Sequence, residues 1–443
     1  MKQTFLSGAT LAALVMLVAL PLVFILLQAI FPHFSAGSLG DAFGGIPALL
    51  ADPQLPAMLG GTLWIAAGVA LVSVMIGLPL GILRGMFSLP LPRLWDLLFL
   101  IPFLTPPYIS ALSWMLALQS QGYLQQLTGW QLNDLLFSRS GIVLVMTFNI
   151  FPVVYFAVSR SLLASGTRLA VVARVHGASA WRAFWHVTLP MLSPALAAGM
   201  LLAFTLAIEE FGVPAALGSR AGVVMLTVGI EKKLADWPVD LPGAALLSLL
   251  LMAVALFAWW LQRRLVMVQK IKGRGMVDAL SLMPAALPGV VVGVGLILLW
   301  NQPFWPRSPY NTLWMLLLSY CCLLLPWPVR YVGSALRQLG PNLEPAARVH
   351  GASPLQALRL IVLPLVFPAL LAAMLMVFAV ASRELVTSLL LSPAGTQTVA
   401  VFIWRQFEQG SVGQGMAMAS LTLLTGLVLM LTALALMQRR TRG

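Results

Sequence analysis

Four ionisable residues stand inside runs that otherwise avoid charge: Glu209 and Glu210 in FTLAIEEFGV, and Arg383 with Glu384 in AVASRELVTS. A charge in an apolar phase is costly and ordinarily faces a helix-bundle interior or a cavity. Two chemistries fit these residue types. A pair of carboxylates could meet a cation, because hard cations take oxygen ligands. Alternatively, Arg383 could pair with Glu209 or Glu210 and lock a gate without touching any cargo. The four histidines, His33, His176, His186 and His350, form no metal-ligand spacing, so structural roles are expected for them and a metal site stays unassigned. There is no G-x-x-x-x-G-K-[ST] phosphate loop and no His-Glu-x-x-His, so the residues offer neither nucleotide hydrolysis nor zinc-peptidase chemistry. The expectation is a chain that is not an enzyme and binds no cofactor of its own.

The elements that must position these groups follow from composition. The 443 residues are 60% hydrophobic and 9% charged, too apolar for a soluble domain to cover. Windows of about 20 residues nearly free of charge match a helix crossing a bilayer core of about 30 Å. The reading is all-α and polytopic, with spans near 8–30, 58–83, 94–118, 141–163, 191–213, 242–262, 277–300, 312–329, 365–391 and 414–437. The first is taken as an uncleaved span, since it is too long for a signal-peptide core. Most of the 26 Lys and Arg residues then fall on one side, Arg84, Arg174, Arg182, Arg263, Arg264, Lys270, Lys272, Arg348 and Arg440 among them. That asymmetry puts both termini in the cytoplasm and accounts for the net charge of +13 without a nucleic-acid partner. Cys321 and Cys322 adjoin each other in an apolar run and are expected to fill space, not to form a disulfide.

A repeat organises the chain. ARVHGASAWRAFWHVTLPMLSPAL at 173–196 returns as ARVHGASPLQALRLIVLPLVFPAL at 347–370, an offset of 174 that also relates Glu210 to Glu384. The expected division is a first half over 1–264, a linker over 265–276 and a second half over 277–443 that lacks counterparts of the first two spans. Each copy sits in a predicted cytoplasmic loop, 170–190 and 344–364. Gly177 and Gly351 suit a tight turn, and Ser179 and Ser353 suit N-caps. Pro190 and Pro364, after Leu189 and Leu363, are expected to break the short helix and start the next span. Trp181, Phe184 and Trp185 in one copy, and Leu355, Leu358 and Leu360 in the other, give an apolar face that a partner's groove or the lipid interface could cover. Proline pairs at 102 and 106, and at 284 and 288, are expected to kink the third and seventh spans.

Glu344, Ala346, Ala347 and Gly351, followed by Leu363-Pro364, resemble the cytoplasmic EAA loop of ABC-importer membrane subunits. The first copy departs from the pattern in having Ala170 where the glutamate would stand. The resemblance implies a type I permease fold in the bacterial inner membrane, with the two halves fused. It implies coupling helices, here Gly177, Ala178, Ser179, Trp181, Phe184, Leu189 and Pro190, and Glu344, Gly351, Ala352, Ser353, Leu355, Leu358, Leu363 and Pro364, docking two copies of a cytoplasmic ATPase that binds ATP and Mg. A periplasmic binding protein would deliver the cargo. The stretch from Ser382 to Leu421 resembles fused permeases for ferric iron, the expected cargo, and relatives for aminoethylphosphonate, thiamine and polyamines. A secondary transporter would also carry a repeat, but it would need no matched docking loops.

Overall fold

The computed structural model describes residues 2–165, 168–265, 276–339 and 342–440. Residues 266–275 of the expected linker and the side chain of Glu344 lie outside that description. The described chain is helical, with no strand among the described residues. In order, the helices used below are α1 Gly8–Ile30 and α2 Leu55–Met86, α3 Pro92–Leu104, α4 Pro107–Leu118, α5 Arg139–Ser165, α6 Arg168–Val175, α7 Ala180–Glu209, α8 Gly212–Ala221, α9 Leu226–Ala235 and α10 Leu241–Leu265. The second half continues with α11 Met276–Leu282, α12 Gly289–Trp300, α13 Leu313–Leu324, α14 Pro326–Gln338, α15 Leu343–Val349, α16 Pro354–Ala381, α17 Val386–Leu391, α18 Val399–Glu408 and α19 Val412–Arg440.

Among the described residues, seven helices are long and apolar enough to cross a membrane, or up to 11 spans if each bent pair counts as one. The ten expected spans account for the seven and for three of the bent pairs. The additional pair, α8 and α9, bent by 90°, occupies what was expected to be an outer loop, so Arg220, Lys232 and Lys233 lie on helices. Hydropathy windows overlook it because each helix has only 10 residues. A further correction concerns Pro190 and Pro364, which do not break their helices. A π-helical turn, Phe184–Thr188 or Leu358–Val362, precedes each one, and the helix runs on. The wider turn accommodates a residue that lacks an amide donor and crowds the preceding carbonyl. The predicted spans 191–213 and 365–391 also run too far, since the helices end at Glu209 and Ala381.

The described residues form two compact units that exchange segments between the sequence halves. One unit takes its residues from Pro21–Gly273 and Ala286–Pro306. Its centre is the mutual packing of α2, α5 and α7. Gly77, Gly81 and Gly85 recur every four residues on one face of α2, and there the backbone of α5 comes so close that a Cβ on Gly77 would lie 2.9 Å from Tyr155 N and 3.0 Å from Phe151 O. Small residues allow this approach where dispersion, not water exclusion, holds helices together. Helix α12 belongs to this unit although its sequence belongs to the second half, and its residues Val290 to Leu299 are all buried. Gly295 rests on the backbone of Pro21.

The other unit takes its residues from Met1–Leu20, Arg274–Ala285 and Arg307–Gly443. In it α14 packs on α16, α18 on α19 and α13 on α17, and the start of the first span packs on α11. The third predicted span is bent by 92° between Pro92–Leu104 and Pro107–Thr128, and the seventh is broken between Ala286 and Gly289. Pro102, Pro106 and Pro288 stand at these breaks.

Candidate functional site

The repeated loop has the same local construction in both units. Helix α6 ends in a Schellman motif, in which the Ala178 amide donates to the Ala173 carbonyl and the Gly177 amide to the Arg174 carbonyl, each at 3.0 Å. Ala352 to Ala347 and Gly351 to Arg348 repeat both bonds at 3.0 Å. The glycine in this motif must be left-handed, and Gly177 and Gly351 have φ of +92° and +85°. Two residues on, Ser179 Oγ accepts from Arg182 N at 3.2 Å. Ser353 Oγ accepts from Gln356 N at 3.3 Å while Gln356 Oε1 accepts from Ser353 N at 2.8 Å, a full capping box. Gly-Ala-Ser is thus one stop and one start, written in three residues. His176, His350 and His186 hydrogen-bond through Nδ1 to carbonyls of their own helices, those of Val172, Ala346 and Arg182.

The apolar side chains of these loops face outward. Trp181 is 71% exposed and Leu355 72%, with Trp185, Leu358 and Leu360 also exposed. Phe184 is half-buried, and Trp181 lies with its ring near those of Phe184 and Trp185, at centroid distances of 6.4 and 5.4 Å. Ala178 and Ala352 are half-buried; Pro190, Leu363 and Pro364 are exposed, and Leu189 is half-buried.

The glutamates stand at helix breaks. Glu209 is the last residue of α7, and Glu210 is already extended, with φ −68° and ψ 133°. Glu210 Oε1 accepts from Gly212 N at 2.8 Å and from Val213 N at 3.4 Å, capping α8, while its carbonyl accepts from Thr227 Oγ1 at 2.9 Å. Glu384 repeats the arrangement. Its Oε1 accepts from Thr387 N at 3.1 Å and from the Thr387 hydroxyl, and its carbonyl accepts from Ser388 Oγ at 3.0 Å. Arg383 sits one residue before it, beyond the end of α16. A carboxylate at a helix start satisfies amides that have no partner within the helix and opposes the positive end of the helix dipole. Among the described residues, no three His, Cys, Asp or Glu side chains come together as a metal site.

Two further polar groups hold these helices, and sequence reading gave neither. Asp96 accepts from Arg84 Nε at 3.1 Å, from Arg84 Nη2 at 3.0 Å and from Tyr155 Oη at 2.7 Å, tying α2, α3 and α5. Asn149 Nδ2 donates to the carbonyls of Pro102 at 3.2 Å and Thr105 at 3.1 Å, satisfying backbone exposed by the α3–α4 bend. A polar residue inside an apolar run, paired with prolines elsewhere, was the available signal for Asn149. Thr62 Oγ1 likewise accepts from Leu226 N at 2.9 Å, fixing the start of α9 on α2. In the other unit the Tyr320 hydroxyl hydrogen-bonds Ser388 Oγ, extending the Glu384 cap to α13.

The described chain, with its many candidate spans, a duplicated loop and breaks in its helices, is a polytopic helical membrane protein in class. The chain matches the family described as binding-protein-dependent transport system inner membrane component, over residues 73–267 and again over 265–443, and it belongs to that family. It is a fused two-half ABC transport permease, and membership implies an importer with an ATPase and a substrate-binding protein as partners. The chain is 29% identical over 242 residues to the molybdenum transport system permease protein ModB of Mycobacterium tuberculosis, 54% of this chain and 86% of that protein. It is 30% identical over 271 residues to the sulfate transport system permease protein CysW of Escherichia coli, 59% and 87%. A permease protein named for 2-aminoethylphosphonate transport, PhnV of Salmonella typhimurium, is 28% identical over 149 residues, 34% of this chain and 56% of its own length.

Proposed function

We propose that the two Gly-Ala-Ser loops are the docking elements for two copies of a cytoplasmic ATPase, and that the chain lies in the inner membrane with both termini cytoplasmic. The observation that carries this reading is the identical Schellman-plus-cap construction at 173–179 and 347–353, each followed by exposed large apolar side chains. Lipid contact alone would not require the same backbone motif twice. The test replaces Trp181 and Leu355 together by glutamate. Both side chains are exposed in the chain, so folding and membrane insertion should be unchanged while the ATPase no longer co-purifies. Co-purification of the ATPase at the wild-type ratio would refute the docking role.

The cargo reading is a small oxyanion, supported by relatives named for sulfate and 2-aminoethylphosphonate and by the engagement of Glu210 and Glu384 on backbone amides. Ferric iron is the rival that the Arg383-Glu384-Leu385 opening favours. Binding-protein-dependent uptake of labelled sulfate, molybdate, 2-aminoethylphosphonate and ferric iron by the reconstituted complex separates the two. Uptake of ferric iron alone would overturn the oxyanion reading.

A further inference from the structure

Each docking loop and each cap glutamate occupy opposite ends of one helix. Helix α7 starts at the Ser179 cap and ends at Glu209, a run of 30 residues, or about 45 Å at 1.5 Å per residue. Helix α16 starts at the Ser353 cap and ends at Ala381, a run of 28 residues, or about 42 Å. The π turns at 184–188 and 358–362 keep both helices continuous where prolines would otherwise have parted them. At the far end the chain leaves the helix, and the same construction appears in each unit. One carboxylate oxygen takes amides of the next helix's first turn, Gly212 and Val213 in one unit and Thr387 alone in the other, and the carbonyl of the same residue takes a hydroxyl, Thr227 in one unit and Ser388 in the other. The elements held in this way are themselves buried. Val213, Leu217, Leu226 and Ile230 of α8 and α9 have no exposed surface, nor have Thr387 and Ser388 of α17.

We infer that Glu210 and Glu384 are positioning residues for transport: their carboxylates splice each docking helix to a buried helix beyond it, α8 or α17, so that displacement of the docked end moves that helix. This inference rests on the docking reading above. What the splice requires is a hydrogen-bond acceptor at the position of Oε1. It does not require a charge. That requirement separates the splice from a cation-binding carboxylate and from an ion pair with Arg383, because glutamine keeps a carbonyl oxygen at the same reach and loses only the charge.

The experiment uses the full complex in proteoliposomes, comprising this chain, its ATPase and its binding protein as purified from the native host. The readout is the ratio of binding-protein-stimulated to basal ATP hydrolysis, which a loss of fold alone would not move at constant assembly. The double variant Glu210→Ala with Glu384→Ala should keep the ATPase bound and basal hydrolysis near wild type, yet lose about tenfold of the stimulation, within the range of ordinary coupling between sites. Glu210→Gln with Glu384→Gln should stay within about twofold of wild type. Equal loss in the glutamine and alanine variants would overturn the inference in favour of a charge-dependent role, and full stimulation in the alanine variant would overturn it outright. Should the alanine variant fail to assemble, Thr227→Val with Ser388→Ala removes the hydroxyls on the two carbonyls, and with Ser388 its bond to Tyr320, while leaving both carboxylates in place. Reduced stimulation is then expected, and unchanged stimulation would be refuting. Failure of the docking reading is seen separately, as retention of the ATPase by the Trp181→Glu and Leu355→Glu chain.

Discussion

Replacing Gly77 by alanine tests the helix packing at its tightest point. A Cβ there would lie 2.8 Å from Val154 Cβ, 2.9 Å from Tyr155 N and 3.0 Å from Phe151 O. Carbon atoms at rest are separated by about 3.5–4.0 Å, and two of the three neighbours are backbone, which no rotamer change can withdraw. Helices α2 and α5 must therefore part by roughly half to one ångström along the seam. Overpacking of this kind costs about 1–3 kcal/mol. Alanine recovers up to about 1 kcal/mol of helix propensity, leaving with that full recovery a net loss of about 0–2 kcal/mol. Gly60, on the same helix, has nothing within 4 Å of its would-be Cβ, so Gly60→Ala keeps the propensity gain without the clash. Denaturant titration of the purified chain in mixed micelles, followed by tryptophan fluorescence, should separate the two variants by about 2 kcal/mol, with Gly77→Ala below wild type. The backbone of Tyr155 is among the displaced atoms, and its hydroxyl reaches Asp96, so the loss should extend to that network. A Gly77→Ala chain as stable as Gly60→Ala would refute the packing argument.

Two other perturbations follow from the polar groups. Asn149→Ala strips the donor from two carbonyls at the α3–α4 bend and should cost about 1–3 kcal/mol in the same titration, since backbone acceptors in an apolar setting have no water to turn to; no loss would show that the bend is held by other groups. For Asp96, the combined set of Asp96→Asn, Tyr155→Phe and the double variant should give a coupling energy of about 0.5–2 kcal/mol. Arg84 and Asp96 retain 15% and 19% of their side-chain surface, which keeps the expectation below that for a fully dried pair, and strict additivity would contradict the hydrogen bond.

The repeated Gly-Ala-Ser loops were the most legible part of the sequence because their geometry is local. A left-handed glycine, a serine cap and a repeated spacing are set within seven residues, and neighbouring chain is all they need. The glutamates were half legible. Their cost in an apolar run and their offset of 174 marked them, but residue type alone could not distinguish a cation ligand, an ion-pair partner and a helix cap. The cap depends on where the helix ends, and hydropathy windows carried the spans past Glu210 and Glu384 because the residues beyond them are as apolar as those before. The same averaging concealed α8 and α9, which are individually too short to register as spans.

By itself the sequence determined that this chain lives in a membrane, that it is helical, and that it was written as two related halves, since apolar content, charge asymmetry and a repeat are properties of linear order. Only the tertiary structure decided which segments share a compact unit. It placed α12 of the second half in the unit of α2, α5 and α7, and the start of the first span in the unit of α13 to α19. It also decided which prolines bend the chain and which are absorbed. Pro102 and Pro106 stand where Asn149 can satisfy the opened carbonyls, whereas Pro190 and Pro364 are taken up by a π turn. The reason is physical: an unpaired carbonyl or an extra turn is tolerated only where a neighbouring helix supplies a donor or room, and those neighbours are distant in sequence.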